Sequence, residues 1–387
     1  MRILMLADVF FPDTIGGAGR YVYDLARFLR AKGHQIHVVT RNPENSLPPA
    51  ETIGGIAIYR FPHVRRRLYS YATARSLIAE ILHDTGIDLL HGFQPLICSS
   101  AIPWLKRWPS VYTYFSPWAT EYLIKVRRRT WFHRLVAWRL RASEGKVLRS
   151  AGTVVLLSQF AERLMREDHG EMPKTELIPG AVDLARFQRI GDPLKANLRR
   201  RWNIPETTPL LLTVRNLVPR MGLDYLLRAL ALLREQGVPF AQLIGGNGPL
   251  RSELENHARS LQLQKQVFFT GPIAEAEMPA YYSAADLFVL PTTELECFGL
   301  VVLESLACGT PVLSTRCGGP EEILDPLNPS WLCERYNPQA LADGITRVLR
   351  QRPIHGDPLR RYVEENFSWN SIVVRMEALY AKVLGGC

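Results

Sequence analysis

The sequence contains few cysteines and none of the short cysteine pairs that bind metals or form redox sites. Its 387 residues include six cysteines, and no two of them have the Cys-x-x-Cys spacing. A chain of this length can bury enough apolar surface to fold without disulfide bonds. The cysteines therefore predict a reduced, cytoplasmic compartment.

The sequence also lacks any long uninterrupted apolar run. No segment reaches the roughly 18 apolar residues that argue for a transmembrane helix. The apolar run at residues 1–7 is soon broken by Asp8, Pro12 and Asp13, without a convincing cleavage site. We interpret this run as a buried first strand, and we expect a protein that is soluble or peripheral on the inner face of the membrane.

Recognisable metal motifs are missing as well. No cluster of His, Cys and Asp has the spacing of a metal site, and no Asp-x-Asp pair follows a predicted strand. We therefore expect that the protein uses no metal and no other cofactor.

Positive charge is in excess. The 47 Lys and Arg outnumber the 37 Asp and Glu, so the formal charge is +10, which favours anionic partners. Basic stretches lie at residues 65–67 and 125–141, and the second includes Trp131 and Trp138. It suits an anionic membrane surface or a phosphorylated lipid, or else it is a solvated basic face with its aromatics packed inward. No nucleic acid is expected, because no binding motif accompanies the charge.

Short apolar runs alternate with amphipathic segments of helical length along the whole chain, which is typical of parallel sheets covered by helices. Strands are predicted at 3–7, 35–40, 56–60, 87–91, 110–114 and 153–157, and again at 209–214, 241–244, 267–270, 287–290 and 311–314. Helices of the first half are predicted to begin near Gly17, Ala72, Ile97, Trp118 and Gln159. The fold class is therefore α/β, with two doubly wound Rossmann-like domains in tandem.

The segment 176–183 contains Pro179 and Gly180, which interrupt a strand and mark the inter-domain boundary. We place the domains at 1–185 and 186–366, followed by a C-terminal segment at 367–387. Its helix, predicted at about 369–384, is expected to cross back to the first domain.

Two glutamates flank a glycine turn in the second half of the chain. Glu296 lies in an acidic turn after a predicted strand, Gly299 opens the next helix, and Glu304 follows about a turn and a half later. A helix N-terminus favours an anion such as pyrophosphate, and the carboxylates suit hydroxyl groups beside it. Alternatively, Glu296 only complements the helix dipole and Glu304 is solvated. A second glycine turn, at Gly318 and Gly319, favours the binding crevice.

This pattern resembles the donor-site signature of glycosyltransferase family 4, whose members are retaining enzymes with the GT-B fold, two Rossmann-like domains facing a central cleft. The resemblance places Glu296 by the transferred sugar and phosphate and Glu304 on the ribose hydroxyls. It also implies that the backbone amides of Phe298, Gly299 and Leu300 hold the sugar and pyrophosphate. The N-terminal domain would bind the acceptor and the C-terminal domain the nucleotide-sugar donor.

The resemblance extends along nearly the whole chain. Gly16 and Gly17 are similar to the family's opening double-glycine loop, whose amides can face the donor phosphates; the segment does not fit the nicotinamide fingerprint Gly-x-Gly-x-x-Gly. Gly245 matches a strand-end glycine turn, and Ile273 lies where members cradle the nucleobase. His91 matches a recurring histidine, although a histidine at a strand end is more often structural than catalytic.

Two positions depart from the family pattern. Members usually place an arginine and a lysine six residues later against the donor pyrophosphate, whereas here Arg215 is followed by Met221. Cationic stabilisation would then come from Arg215, alone or with Arg220. A histidine that many members carry near the donor sugar corresponds to Phe115, so this contact is in doubt.

The resemblance implies a retaining transfer of a hexose-type sugar from a UDP- or GDP-sugar to a hydroxyl group. The acceptor is a glycan, a lipid-linked molecule or a small molecule. The departing phosphate takes the proton, and Arg215 with the helix amides neutralises its charge. One alternative is a catalytically impaired nucleotide-sugar-binding or scaffold protein of the same fold. Another is a sugar-nucleotide epimerase or a phosphorylase with this architecture.

Overall fold

The computed structural model describes residues 1–14, 16–62, 67–126, 130–172, 174–351 and 355–386. The basic residues Arg65, Arg66 and 127–129 lie outside this part of the chain. The polypeptide divides into two compact units: unit 1 is Met1–Gly180 with Trp369–Cys387, and unit 2 is Ala181–Ser368. The sequence analysis set the corresponding boundaries after residues 185 and 366.

Unit 1 begins with alternating strands and helices. The strands are β1 (Arg2–Ala7), β2 (Gln35–Asn42), β3 (Ala50–Ile53), β4 (Ile56–Pro62), β5 (Leu89–Gly92), β6 (Ser110–Tyr114), β7 (Thr153–Leu156) and β8 (Thr175–Leu177). The helices are α1 (Gly17–Ala31), α2 (Arg67–Thr85), α3 (Pro95–Leu105), α4 (Trp118–Lys125), α5 (Trp131–Ser150) and α6 (Gln159–His169).

The strands of unit 1 pair in the order β3-β4-β2-β1-β5-β6-β7-β8. All of these pairs are parallel except β3 with β4, and the central strand β1 is apolar and fully buried from Ile3 to Leu6. A parallel strand buried on both faces needs apolar residues at successive positions, which explains the apolar N-terminus.

Unit 2 repeats the alternation. Its helices are α7 (Asp192–Arg201), α8 (Leu223–Glu235), α9 (Arg251–Ser260), α10 (Met278–Ala284), α11 (Leu300–Ala307), α12 (Gly319–Leu324), α13 (Pro338–Arg350) and α14 (Asp357–Phe367). Its strands are β9 (Leu210–Val214), β10 (Ala241–Gly245), β11 (Val267–Gly271), β12 (Leu287–Leu290), β13 (Val312–Thr315) and β14 (Leu332–Cys333). They form a parallel sheet in the order β11-β10-β9-β12-β13-β14.

The last helix, α15 (Trp369–Gly385), belongs to unit 1. The Trp369 ring is buried against Tyr21 and Phe28 of α1, with ring centroids 5.2 and 5.8 Å apart. His34 Nε2 lies 2.8 Å from a Glu377 carboxylate oxygen. These contacts attach α15 to α1 and to the turn that follows it in the same unit.

The predicted strands are all present, and β8 overlaps the strand that Pro179 and Gly180 were predicted to interrupt, whereas β3 and β14 were not predicted. Strand β3 pairs antiparallel with β4 through the turn Gly54-Gly55, where both residues have positive φ. A Gly-Gly pair between two strands is a hairpin signal that could have revealed it. Strands β8 and β14 contain three and two residues, too few to show a periodicity. Helix α2 begins at Arg67 rather than near Ala72.

Candidate active site

The candidate site lies at the carboxyl edge of the unit 2 sheet. Strands β9, β12 and β13 are parallel neighbours, so their carboxyl ends meet at this edge. Arg215 follows β9, Glu296 lies in the turn after β12, and Gly318 follows β13. Ligands of open α/β sheets bind at the carboxyl ends of the strands. The residues predicted from distant parts of the sequence are therefore brought together here.

Arg215 lies at the centre of this group. Its guanidinium forms an ion pair with the Glu296 carboxylate, and both side chains are largely buried. The guanidinium also donates to the sulfur of Met221, with Nη2 at 2.8 Å and Nε at 3.2 Å. The position that departs from the family pattern thus contacts the arginine directly. The sequence analysis did not foresee this contact, because it considered only the charge that methionine lacks.

Helix α11 begins at this edge. Its N-cap, Gly299, has φ +89°, a backbone conformation that favours glycine, and a Cβ atom there would lie 3.0 Å from the Pro320 ring. The first N–H groups of a helix have no acceptor within the helix and carry partial positive charge. The amides of Phe298, Gly299 and Leu300 lie at this helix start, which makes it a favourable place for an anion.

Glu304 lies in the second turn of α11 and is half-buried. One of its oxygens accepts a hydrogen bond from the Tyr282 hydroxyl of α10, at 2.7 Å. Burial, and after it the nearby Glu304 carboxylate, raises the pKa of Tyr282 well above its ordinary value, so Tyr282 remains a donor. The sequence analysis missed Tyr282, because no motif linked α10 to α11. The only available signal was an aromatic hydroxyl that needs a partner when buried.

The two glycine turns are joined by backbone hydrogen bonds. Gly319 donates its N–H to the Glu296 carbonyl at 2.8 Å, and Glu296 pairs with Gly318 as an isolated parallel bridge. A Cβ atom on Gly319 would lie only 2.4 Å from the Cys297 carbonyl oxygen. The second glycine turn is therefore packed directly on the acidic turn, and it fixes the backbone of Glu296.

Arg220 is placed against the same acidic turn. Its Nη1 donates to the Leu295 carbonyl at 2.8 Å, and its own carbonyl accepts from the Thr293 N–H at 2.9 Å. These contacts hold the backbone on the side of the turn that precedes Glu296. The side chain therefore helps to fix the turn that carries Glu296.

Gly245 and Ile273 also come together at this edge. A Cβ atom on Gly245 would lie 2.5 Å from the Ile273 side chain, so only glycine lets Ile273 approach so closely. Next to it, Gly246 has φ +119°, and a Cβ atom there would lie 1.9 Å from the Arg215 carbonyl oxygen. The strand-end glycines thus let the loops pack around the backbone of Arg215.

Gly16 and Gly17 lie in unit 1 at the start of α1. Both are exposed, and the N-cap Gly16 has φ +153°. A glycine N-cap followed by exposed helix amides fits the predicted anion-facing turn.

His91 and Phe115 lie in unit 1, His91 in the interior and Phe115 half-buried. His91 is fully buried, with Nδ1 2.6 Å from the Tyr380 hydroxyl and Nε2 2.8 Å from the Thr113 hydroxyl. Burial lowers its pKa to about 3, so the ring is neutral. Both nitrogens are thus occupied within the unit, which favours the structural role over a sugar contact. The Phe115 ring packs against Tyr21 and Phe93.

Among the described residues, no three His, Cys, Asp or Glu side chains come together as a metal site would require. The helices of the described chain are also too short or too polar to span a bilayer.

Two family models match the chain. Glycosyltransferase Family 4 matches residues 15–186, and Glycosyl transferases group 1 matches residues 195–367. A D-inositol 3-phosphate glycosyltransferase of Kineococcus radiotolerans is 32% identical over 335 residues, or 79% of this chain and 74% of that protein.

A GDP-mannose-dependent alpha-(1-6)-phosphatidylinositol monomannoside mannosyltransferase of Mycolicibacterium smegmatis is 30% identical over 239 residues. The match covers 59% of this chain and spans only 62% of that relative's length. Among solved structures, a sucrose-phosphate synthase from Thermosynechococcus elongatus superposes with a TM-score of 0.85, covering 100% of both chains at 24% identity.

The two α/β units, each built on a mainly parallel sheet, and this structural neighbour define a protein with the GT-B fold. The chain belongs to glycosyltransferase family 4, as its double-glycine loop and glutamate pair predicted.

Proposed function

We propose that the protein is a retaining glycosyltransferase that transfers a hexose-type sugar from a nucleotide-sugar donor to an acceptor hydroxyl, without a metal. The observation that carries the proposal is the arrangement of Arg215, Glu296 and Glu304 around the N-terminus of α11. One cation, two carboxylates and a helix start at the carboxyl edge of a parallel sheet match the groups of a nucleotide-sugar.

In this proposal each group of the donor meets a complementary group of unit 2. The pyrophosphate lies at the start of α11 and against Arg215, while the ribose hydroxyls donate to Glu304. Tyr282 is a positioning residue, since its hydroxyl fixes one oxygen of that carboxylate. Glu296 lies by the transferred sugar and orients Arg215. Ile273 borders the nucleobase.

The proposed reaction is a substitution on one face of the sugar. The acceptor oxygen bonds to the anomeric carbon on the side from which the diphosphate leaves. The bond between that carbon and the phosphate oxygen breaks, and the departing phosphate takes the acceptor proton. Arg215 and the α11 amides stabilise the negative charge on the diphosphate. No side chain has to act as a nucleophile.

The names of two relatives support the classes of donor and acceptor that we propose. One is named for a GDP-mannose donor and a phosphatidylinositol mannoside acceptor, and another for an inositol phosphate acceptor. We propose a UDP- or GDP-sugar as donor. The proposed acceptor is a glycan, a lipid-linked molecule or a small molecule that carries a polyol.

Calorimetric titration with UDP, GDP and ADP in EDTA tests the donor site. We expect one nucleotide series to bind, and Glu304→Ala to weaken that binding about ten- to hundredfold by removing charge-assisted hydrogen bonds of ~1.5–3 kcal/mol. Glu364→Ala, an exposed glutamate on α14, is the matched control. An unchanged affinity in Glu304→Ala would contradict the ribose assignment.

A transfer assay separates the enzyme from a catalytically impaired binding protein, the alternative that Met221 and Phe115 motivate. The enzyme transfers sugar in EDTA, and proton NMR of the product shows the anomeric configuration of the donor. Inversion would contradict the single-face reaction. Tight nucleotide binding without transfer to any polyol or glycolipid acceptor would favour the binding protein, and free sugar released without an acceptor would indicate hydrolysis or epimerase chemistry.

A further inference from the structure

Helix α5 exposes a group of large apolar side chains. Trp131, Phe132, Leu135 and Trp138 expose 77%, 54%, 37% and 65% of their surface; we call these four residues the α5 patch. Seven large apolar side chains are exposed in the described chain, so more than half of them lie on two turns of one helix. A cluster of this kind marks an interaction surface more often than single exposed residues do.

The α5 patch lies apart from the residues by which α5 is buried in unit 1. Trp131, Leu135 and Trp138 follow each other at spacings of four and three residues, so they share one side of the helix. The buried residues Ala137, Glu144, Val147 and Leu148 occupy the other side, where α5 packs on α3 and α4. The aromatics of this stretch therefore do not pack inward, contrary to one of the two interpretations of the sequence.

The exposed side of α5 is also cationic. Its exposed charged residues are Arg134, Arg139, Arg141, Lys146 and Arg149. The only carboxylate of the helix, Glu144, is buried and bonded to His169 Nε2 at 3.1 Å and to the Trp118 N–H at 3.2 Å. Arg141 forms an ion pair with Asp168 at 2.7 Å. Arg134 and Arg139 adjoin the α5 patch, one on each side of Trp138 along the chain.

We propose that α5 lies on an anionic lipid bilayer, with the α5 patch in the interfacial layer and Arg134 and Arg139 against lipid phosphates. Tryptophan is favoured at this depth because its ring is apolar while its N–H reaches polar groups. Each cation near an anionic surface adds to the attraction. A second copy of the chain fits less well, because two cationic faces would repel each other. Binding of α5 to a bilayer does not depend on sugar transfer.

Co-sedimentation of the full chain with vesicles tests the charge. One set contains phosphatidylcholine alone, and the other contains phosphatidylcholine and phosphatidylglycerol in equal amounts. We expect binding only to the second set, and the double variant R134Q/R139Q should lower it about thirtyfold at low salt. The control K32Q/K106Q removes two exposed cations elsewhere in unit 1. Equal loss in both variants, or equal binding to both vesicle sets, would overturn the proposal.

The variant W131S/W138S tests the apolar contact. It should weaken binding to the anionic vesicles by at least about tenfold, whereas Val374→Ser, which replaces another exposed apolar residue of unit 1, should not. Full binding by W131S/W138S would contradict the α5 patch as the contact. If light scattering shows a dimer that this variant converts to a monomer, the face binds a second copy and the proposal is wrong.

Both variants replace exposed side chains, so their melting temperatures should equal that of the parent protein. Nucleotide affinity, measured on the same samples, should be unchanged as well. A loss of vesicle binding with normal nucleotide affinity isolates α5, and normal vesicle binding without nucleotide affinity would count only against the proposed function.

Discussion

Arg215 is held in the site by two groups of different chemistry, the Glu296 carboxylate and the Met221 sulfur. A thioether is a weak acceptor, so it orients the guanidinium without compensating its charge. Of the two groups, only the Glu296 carboxylate offsets the charge of Arg215. Met221, which stands where family members usually have a lysine, therefore orients Arg215 in this chain.

The variant Met221→Lys tests the effect of having methionine where family members usually have lysine. Met221 is 4% exposed, so a lysine would add a second cation in a confined space beside Arg215. We expect the ligand-free variant to melt at a lower temperature than the parent, because like charges repel and burial disfavours charge. A bound nucleotide diphosphate should reverse this loss and bind about ten- to hundredfold more tightly.

Met221→Leu is the matched control, since it keeps the size and removes the sulfur. It should change nucleotide affinity little. Calorimetry and thermal melting of both variants, with and without the diphosphate, provide the comparison. Weaker diphosphate binding by the lysine variant would show that Met221 does not border the phosphate site.

Among the helices, strands and loops that form the site, close packing depends on glycines, which have no Cβ atom. Gly222 begins α8 with φ +66°, and a Cβ atom there would lie 1.9 Å from the Pro291 carbonyl oxygen, just after β12. The start of α8 is therefore in direct contact with the strand that leads to Glu296. A glycine at this position permits both the backbone conformation and the close approach.

Gly222→Ala should destabilise the protein by about 3 kcal/mol or more, because it adds overlap to the strain of positive φ. Gly237→Ala is the matched control at the other end of α8. Gly237 has φ +70° with no atom within 4 Å of the added Cβ, so it should cost only about 1 kcal/mol. Urea unfolding measures both changes. Equal losses would mean that the contact with Pro291 relaxes at no cost.

At the scale of the whole molecule, two buried groups of unit 1 couple stability to pH in opposite directions. Burial raises the pKa of Asp8 from 3.8 to about 7, although the Ile97 amide and Arg41 oppose the shift. The folded state thus holds this proton more tightly, and stability falls as pH rises from about 4 to about 7. Burial lowers the pKa of His91 from 6.5 to about 3, so stability falls as pH decreases through that range.

Asp8→Asn should leave only the His91 effect of this pair. As the pH rises from roughly 4.5 to 6.5, we expect the free energy of unfolding of the parent to fall relative to that of the variant by about 1 kcal/mol per pH unit. Urea unfolding across this range measures the difference, and Asp325→Asn, an exposed carboxyl group, should run parallel to the parent. A constant difference between Asp8→Asn and the parent would show that Asp8 titrates normally in the folded protein.

The class of fold and most of the strands can be predicted from the amino-acid sequence. Short apolar runs such as β1, alternating with segments of helical length, are typical of buried parallel strands, and Gly299 before α11 marks a turn that few other residues adopt. The family followed from the double-glycine loop and the spacing of Glu296 and Glu304. Each of these features involves residues that are close together in the sequence, so it can be recognised without the structure.

The way in which the site residues are held depends on contacts that form only in the folded chain. The contacts of Arg215 with Met221 and of Glu304 with Tyr282 join residues of different elements, and no periodicity records such pairs. The same is true of the short strands β8 and β14, which exist because a neighbouring strand pairs with them. Helix α5 is a further example. Its aromatic and basic residues can be read from the sequence, but which of them face outward depends on where Ala137 and Val147 are buried.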